Sequence, residues 1–154
     1  MDRLTHFMQH HHGHCDEAFA TAEADAHRGD WSACAASLAR FRADLLGHLA
    51  VEEERIFPAF EASTGNTAGP TRVMRAEHEE MRELLGWLDE ALAGRNAIAF
   101  ADAAETLLIL LQQHNMKEEN ILYPMCDRIL GGDEVAFNQL MGEVEQALME
   151  VAHG

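Results

Sequence analysis

Apolar residues along this chain recur at intervals of three and four, the spacing that gathers one buried stripe on an α-helix. Leu4, Met8, Cys15 and Phe19 mark a first helix ending near Gly29. Asp30 is placed to cap a second, whose inner face carries Leu38, Phe41, Leu45 and Ile56. Pro58 is expected to stop or bend that helix, and the polar run from Ser63 to Gly69 to lead out of it. Pro70 suits the first turn of a third helix with Met74, Met81, Leu85, Leu88 and Leu92 inside. Gly94 closes that helix, and Asn96 caps a fourth running through Leu107, Leu111, Ile121 and Met125. Asp133 opens a fifth with Phe137, Leu140, Val144 and Leu148. The pattern predicts an all-α fold: an antiparallel up-down-up-down four-helix bundle over about residues 4–129, an accessory C-terminal helix over about 133–152, and one domain across 1–154.

Two segments of the chain match each other, His48-Leu-Ala-Val-Glu52-Glu and His114-Asn-Met-Lys-Glu118-Glu, each followed by an aromatic–Pro pair. The offset of 66 residues extends further. It carries Asp30 to Asn96, Phe41 to Leu107, Leu45 to Leu111, Met8 to Met74 and Cys15 to Met81. It also carries His12 to His78, so each half is a helical hairpin with one His on its first helix and HxxxE on its second.

Residues four apart share a helix face, so His48 and Glu52 project together, as do His114 and Glu118. Both pairs fall on the apolar stripes, and His12 and His78 continue the stripes of their own helices. Four imidazoles and two carboxylates are thereby directed into one bundle interior. An unpaired carboxylate costs several kcal/mol to bury, as an order of magnitude, so two of them call for a compensating cation. Four nitrogens with two carboxylates suit a pair of divalent first-row ions, each taking two His from one hairpin, with Glu52 and Glu118 bridging.

The ordered set His12-Gly-His-Cys-Asp-Glu-Ala-Phe19, HxxxEE to Phe57-Pro58, Glu77-His78, and HxxxEE to Tyr123-Pro124 resembles the hemerythrin family, in its bacterial HHE cation-binding branch, over about residues 10–124. The resemblance implies a non-haem di-iron centre reacting with O₂ or a related small molecule. His12, His48, His78 and His114 would be terminal ligands of two irons, with an oxo, hydroxo or water bridge beside Glu52 and Glu118; zinc or manganese would fit as substitutes. Oxygen-carrying relatives have a fifth histidine where this chain has Met74, and an acid five residues beyond the last histidine, here Glu119. Glu118 keeps to the histidine's face and matches the first half, and is preferred as the bridge. With the fifth imidazole absent, each ion keeps two nitrogens and room for an exchangeable water, which speaks against simple reversible carriage and leaves room for redox or peroxide chemistry.

Other residues near these motifs receive blander expectations. His10, His11 and His14 read as a polar face of the first helix, with His10 the best substitute for the missing nitrogen. Glu53, Glu54 and Glu119 read as surface carboxylates, Cys15 as a packed thiol, and Met8, Met74 and Met81 as core walls. Phe57 and Tyr123 correspond under the offset and read as aromatic packing; beside the metals, Tyr123 would be a redox candidate.

Composition narrows the function classes. The 154 residues carry a net charge of −16, which repels phosphate backbones and anionic lipid and speaks against nucleic-acid or membrane partners. Three cysteines without CxxC spacing, and no apolar stretch at Met1-Asp2-Arg3-Leu4, place the expectation in the reducing cytoplasm. The leading expectation is a protein that binds, senses or scavenges O₂ or another small diatomic or peroxide ligand, rather than a dedicated catalyst, and no catalytic residue is assigned. Competing expectations are a di-iron enzyme acting on peroxide, nitric oxide or damaged iron centres, and an iron store or carrier. Monomer and homo-oligomer are both open.

Overall fold

The computed structural model describes residues 2–153, with side chains described through Glu150. Met1 and Gly154, the ends of the expected domain, lie outside the described residues, as does the His153 side chain. Helix α1 (Arg3–His27) turns back through Gly29, whose φ of 72° suits glycine, into α2 (Trp31–Val51). Helices α4 (Pro70–Ala93) and α5 (Ala97–Lys117) form a second hairpin. Asp30 accepts a hydrogen bond from Ala33 N at 3.1 Å, Asn96 from Ala99 N at 3.0 Å and Asp133 from Ala136 N at 3.2 Å, so all three expected caps are in place. The two hairpins pack together, α1 along α5 and α2 against α4, and close the four-helix bundle.

Pro58 neither stops nor sharply ends the second rod. Helix α2 continues through a π-turn, Glu52–Ile56, into α3 (Phe57–Thr64), and α5 continues through the matching π-turn, Glu118–Leu122, into α6 (Tyr123–Leu130). In each, the residue before the proline donates its N–H five positions back, Phe57 to Glu52 and Tyr123 to Glu118. The wider turn relieves the clash a proline ring makes with the carbonyl four residues earlier. It also shifts the register by one residue. Ile121, expected inside, is 55% exposed, and Leu122 and Tyr123 are buried instead.

The polar layer carrying the repeated His and Glu residues sits between two apolar clusters. One holds Phe19, Phe41, Leu45, Leu85 and Leu107. The other holds Leu4, Met8, Phe57, Met74 and Leu122, and is completed by Met141, Val144 and Leu148 of α7 (Glu134–His153), which lies along α2 and the first π-turn. The accessory helix thus seals one side of the layer.

The start of α1 is held from a distance. Asp127 of α6 accepts from Leu4 N at 2.9 Å, from Thr5 N at 3.0 Å and from the Thr5 hydroxyl at 2.7 Å, while Asp2 makes no side-chain cap. Two of the helix's unpaired N–H groups are satisfied this way, with a negative charge at the positive end of its dipole. Asp127→Ala should therefore lower stability by about 1–2 kcal/mol, read from urea unfolding midpoints at unchanged slope.

Candidate metal centre

The six residues selected by the repeat meet in one place. His12, His48, Glu52, His78, His114 and Glu118 are each at most 5% exposed, and their functional atoms form two overlapping groups. Glu52, His78, His114 and Glu118 each offer one ligand atom within 4.8 Å of the others, and so do His12, His48 and Glu118. The two imidazoles of one hairpin thus belong to one group and those of the other hairpin to the second, with Glu118 common to both. His78 Nε2 is 3.1 Å from Glu52 Oε1, and His114 Nε2 is 3.3 Å from Glu118 Oε2. Those four atoms are buried and have no hydrogen-bond partner among the described residues. Buried polar atoms are normally paired, and four converging orphans, all nitrogen and carboxylate oxygen, are the donor set of a first-row divalent ion. The residues present fit such an ion.

The outward-facing ring nitrogens are held in turn. Glu53 accepts from His78 Nδ1 at 2.8 Å and is itself gripped by Arg82 at 2.7 and 3.0 Å. Glu77 accepts from His114 Nδ1 at 2.8 Å and pairs with Lys117. His12 Nδ1 lies 2.6 Å from Glu119 Oε2, and His48 Nδ1 lies 2.8 Å from His11 Nδ1. A carboxylate on Nδ1–H leaves Nε2 with its lone pair facing inward, the tautomer a metal requires. Glu53 and Glu119, expected on the surface, are therefore half-buried orienting groups, and only Glu54 is exposed as expected. His11, expected on a polar face, contacts His48; His10 is exposed and outside the centre, and His14 pairs with Asp44 at 3.3 Å. Cys15 is buried, its sulfur 3.8 Å from His11 Nδ1.

Tyr123 is at the centre rather than in plain aromatic packing. Its hydroxyl lies 2.6 Å from Glu52 Oε2 and 2.9 Å from Glu118 Oε1, either of which can accept its proton, and 3.2 Å from Nε2 of both His12 and His48. The π-turn explains the miss. On a regular helix, a residue five positions beyond Glu118 would point about 140° away from it. The extra residue of the π-turn brings the two together. The only sequence signal was the aromatic–Pro pair.

Charge within the cluster is shared unevenly. Burial, reinforced by the neighbouring Glu118 charge, raises the pKa of Glu52. Burial opposes ionisation of Glu118 too, but Glu52, His114 and His12 beside it outweigh burial and hold its carboxyl well below the usual range. For His114, burial works against the charged ring, yet Glu118, Glu52 and Glu77 prevail and raise its pKa to about 9. Burial likewise opposes charge on His12, and Glu118 and Glu52 override it, raising its pKa. His48 is driven the other way by burial and remains neutral.

A family model described as the hemerythrin HHE cation-binding domain matches residues 3–126. No curated protein and no solved structure matches the chain.

The metal-free protein should lose stability as pH rises from 6.5 to 9. His114 and His12 have native pKa values above that of an unfolded histidine, so their contribution is complete below about 6.5 and fades as pH climbs through the native values. Thermal unfolding of chelator-treated protein across that range checks the sign, and an NMR titration should find the His114 ring changing state near pH 9.

Proposed function

The chain belongs to the hemerythrin HHE cation-binding family, and on that premise we propose that it holds two iron ions and uses them to bind, sense or scavenge O₂. His78 and His114 would hold one ion and His12 and His48 the other, with Glu52 and Glu118 between them. The observation that carries this reading is the set of unpartnered ligand atoms from both hairpins converging in a sealed layer. A paired iron centre supplies, when bound, the electrons that O₂ chemistry needs.

The chain's own side chains do the remaining work. Glu53, Glu77 and Glu119 orient three imidazoles, and His11 the fourth. A cavity of about 10 Å³ beside His12, His48 and His114, walled by Leu45, Met81 and Leu111, is at the lower limit of room for one water-sized molecule. Apolar walls there favour a small uncharged ligand over a solvated ion. No helix among the described residues is long and apolar enough to cross a membrane, and the three free cysteines are buried; a cytoplasmic site of action fits both.

Protein purified from iron-supplemented cells should contain two irons per chain and, once reduced, show a reversible change in its visible spectrum on exposure to O₂. A metal-loaded protein showing no such change would overturn the O₂ assignment. Turnover of peroxide or nitric oxide would make it an enzyme, and more than two irons per chain a store. Glu53→Gln and Glu77→Gln should each weaken zinc binding by about 10–100-fold in chelator competition, while Glu54→Gln, at an exposed position, should not.

A further inference from the structure

The 66-residue offset relates much of the centre's surroundings as pairs, and the aromatic residues before Pro58 and Pro124 are a pair that differs by one oxygen. Phe57 stacks on His78 with ring centroids 5.6 Å apart and an interplanar angle of 26°; its counterpart Tyr123 stacks on His12 at 5.7 Å and 27°. The two rings occupy equivalent places, and only one carries a hydroxyl. Counted by ligand atoms, the His78–His114 group has four donors and the His12–His48 group three.

The phenolic oxygen is positioned as the missing donor. Ligands held at about 2.1 Å from an ion and at right angles to one another lie about 3.0 Å apart. The Tyr123 oxygen stands 2.6–3.2 Å from each of four atoms: Glu52 Oε2, Glu118 Oε1, His12 Nε2 and His48 Nε2. His12 Nε2 and Glu118 Oε1 are 3.1 Å apart, and His48 Nε2 and Glu52 Oε2 3.7 Å. The oxygen thus lies at ligand–ligand spacing from all three residues of the His12–His48 group, His12, His48 and Glu118, where it would complete the set as a fourth donor.

We propose that Tyr123 binds the ion held by His12 and His48 through its phenolic oxygen, making the two metal positions chemically different. The proposal rests on the metal-pair reading above. Binding breaks the phenol O–H bond; the oxygen keeps the electron pair and donates it to the ion, and the proton leaves for solvent. Without an ion, burial and the two carboxylates keep the phenol protonated and hydrogen-bonded; a dication in the same place reverses that balance. Phe57 has no oxygen to offer, so no such ligand exists at the His78–His114 position.

Tyr123→Phe, which copies the residue at the equivalent position, tests this beside the wild type, with circular dichroism showing both helical. Zinc titration by calorimetry in two buffers of different ionisation enthalpy counts protons. The wild type should bind two zinc ions and release about one more proton than the variant, whose weaker site should lose about tenfold in affinity. The ferric wild type should show a phenolate-to-iron charge-transfer band and tyrosinate Raman modes, both absent from Tyr123→Phe. A ferric wild type without the band overturns the proposal even if the variant does not fold, as does an unchanged proton count. A wild type that binds no metal pair would instead overturn the reading beneath it.

Discussion

Two glutamates side by side in a helical bundle make the central constraint. Glu52 and Glu118 are fully buried, and both reach the Tyr123 hydroxyl. In the metal-free protein the two are pushed apart: burial raises the pKa of Glu52, Glu118 is held well below the usual range, and His114 and His12 are raised as partial counter-ions. That settlement is incomplete, because one oxygen of each carboxylate and the Nε2 atoms of His78 and His114 still lack partners. A multivalent cation placed among them would satisfy them all together. The remainder of the fold can be understood as the support such a layer requires.

That support is apolar on both sides. The cluster around Phe41 and Leu107 and the cluster around Leu4, Phe57 and Leu122 enclose the layer. Helix α7 adds Met141, Val144 and Leu148 to the second. In so dry an environment each charge–dipole contact counts for more than it would near water, and unpaired polar atoms cost correspondingly more. The centre is thus held by its surroundings and stressed by them, which suits a site whose ligands must be pre-positioned for an ion.

Much of this was legible in the chain. The three- and four-residue spacing located every long helix, and the Asp30, Asn96 and Asp133 caps located the starts of three of them. The duplicated HxxxE, with His12 and His78, picked out the six residues that the structure brings together. What could not be read was whatever depends on a single inserted residue or on distant packing. The π-turns move Ile121 outward and Tyr123 inward, because the 3.6-residue period fails just where each proline disturbs the helix. The roles of Glu53, Glu119 and His11 depend on which neighbouring helix they meet, and Asp127 caps a helix more than a hundred positions away. Periodicity along one helix carries no information about a partner on another.

Duplication explains both the likeness and the difference of the two halves. Repeating a hairpin yields two equivalent ligand sets for little new sequence, but it also copies the outer partners, and identical surroundings would leave the two positions alike. Here those partners have diverged. Beside His78 and His114, Glu53 is paired with Arg82 and Glu77 with Lys117, so each orienting carboxylate has its own cation. Under the 66-residue offset, Arg82 becomes Asp16, Lys117 becomes Val51 and Glu77 becomes His11. His11, held neutral chiefly by burial and then by its histidine neighbours, brings no negative charge to His48. The first surroundings strengthen imidazole donation and fix the rings; the second withhold a carboxylate from His48 and leave Glu119 without the arginine. A repeated frame with unequal outer partners makes the surroundings of the two ligand sets differ without altering a single inner histidine or glutamate.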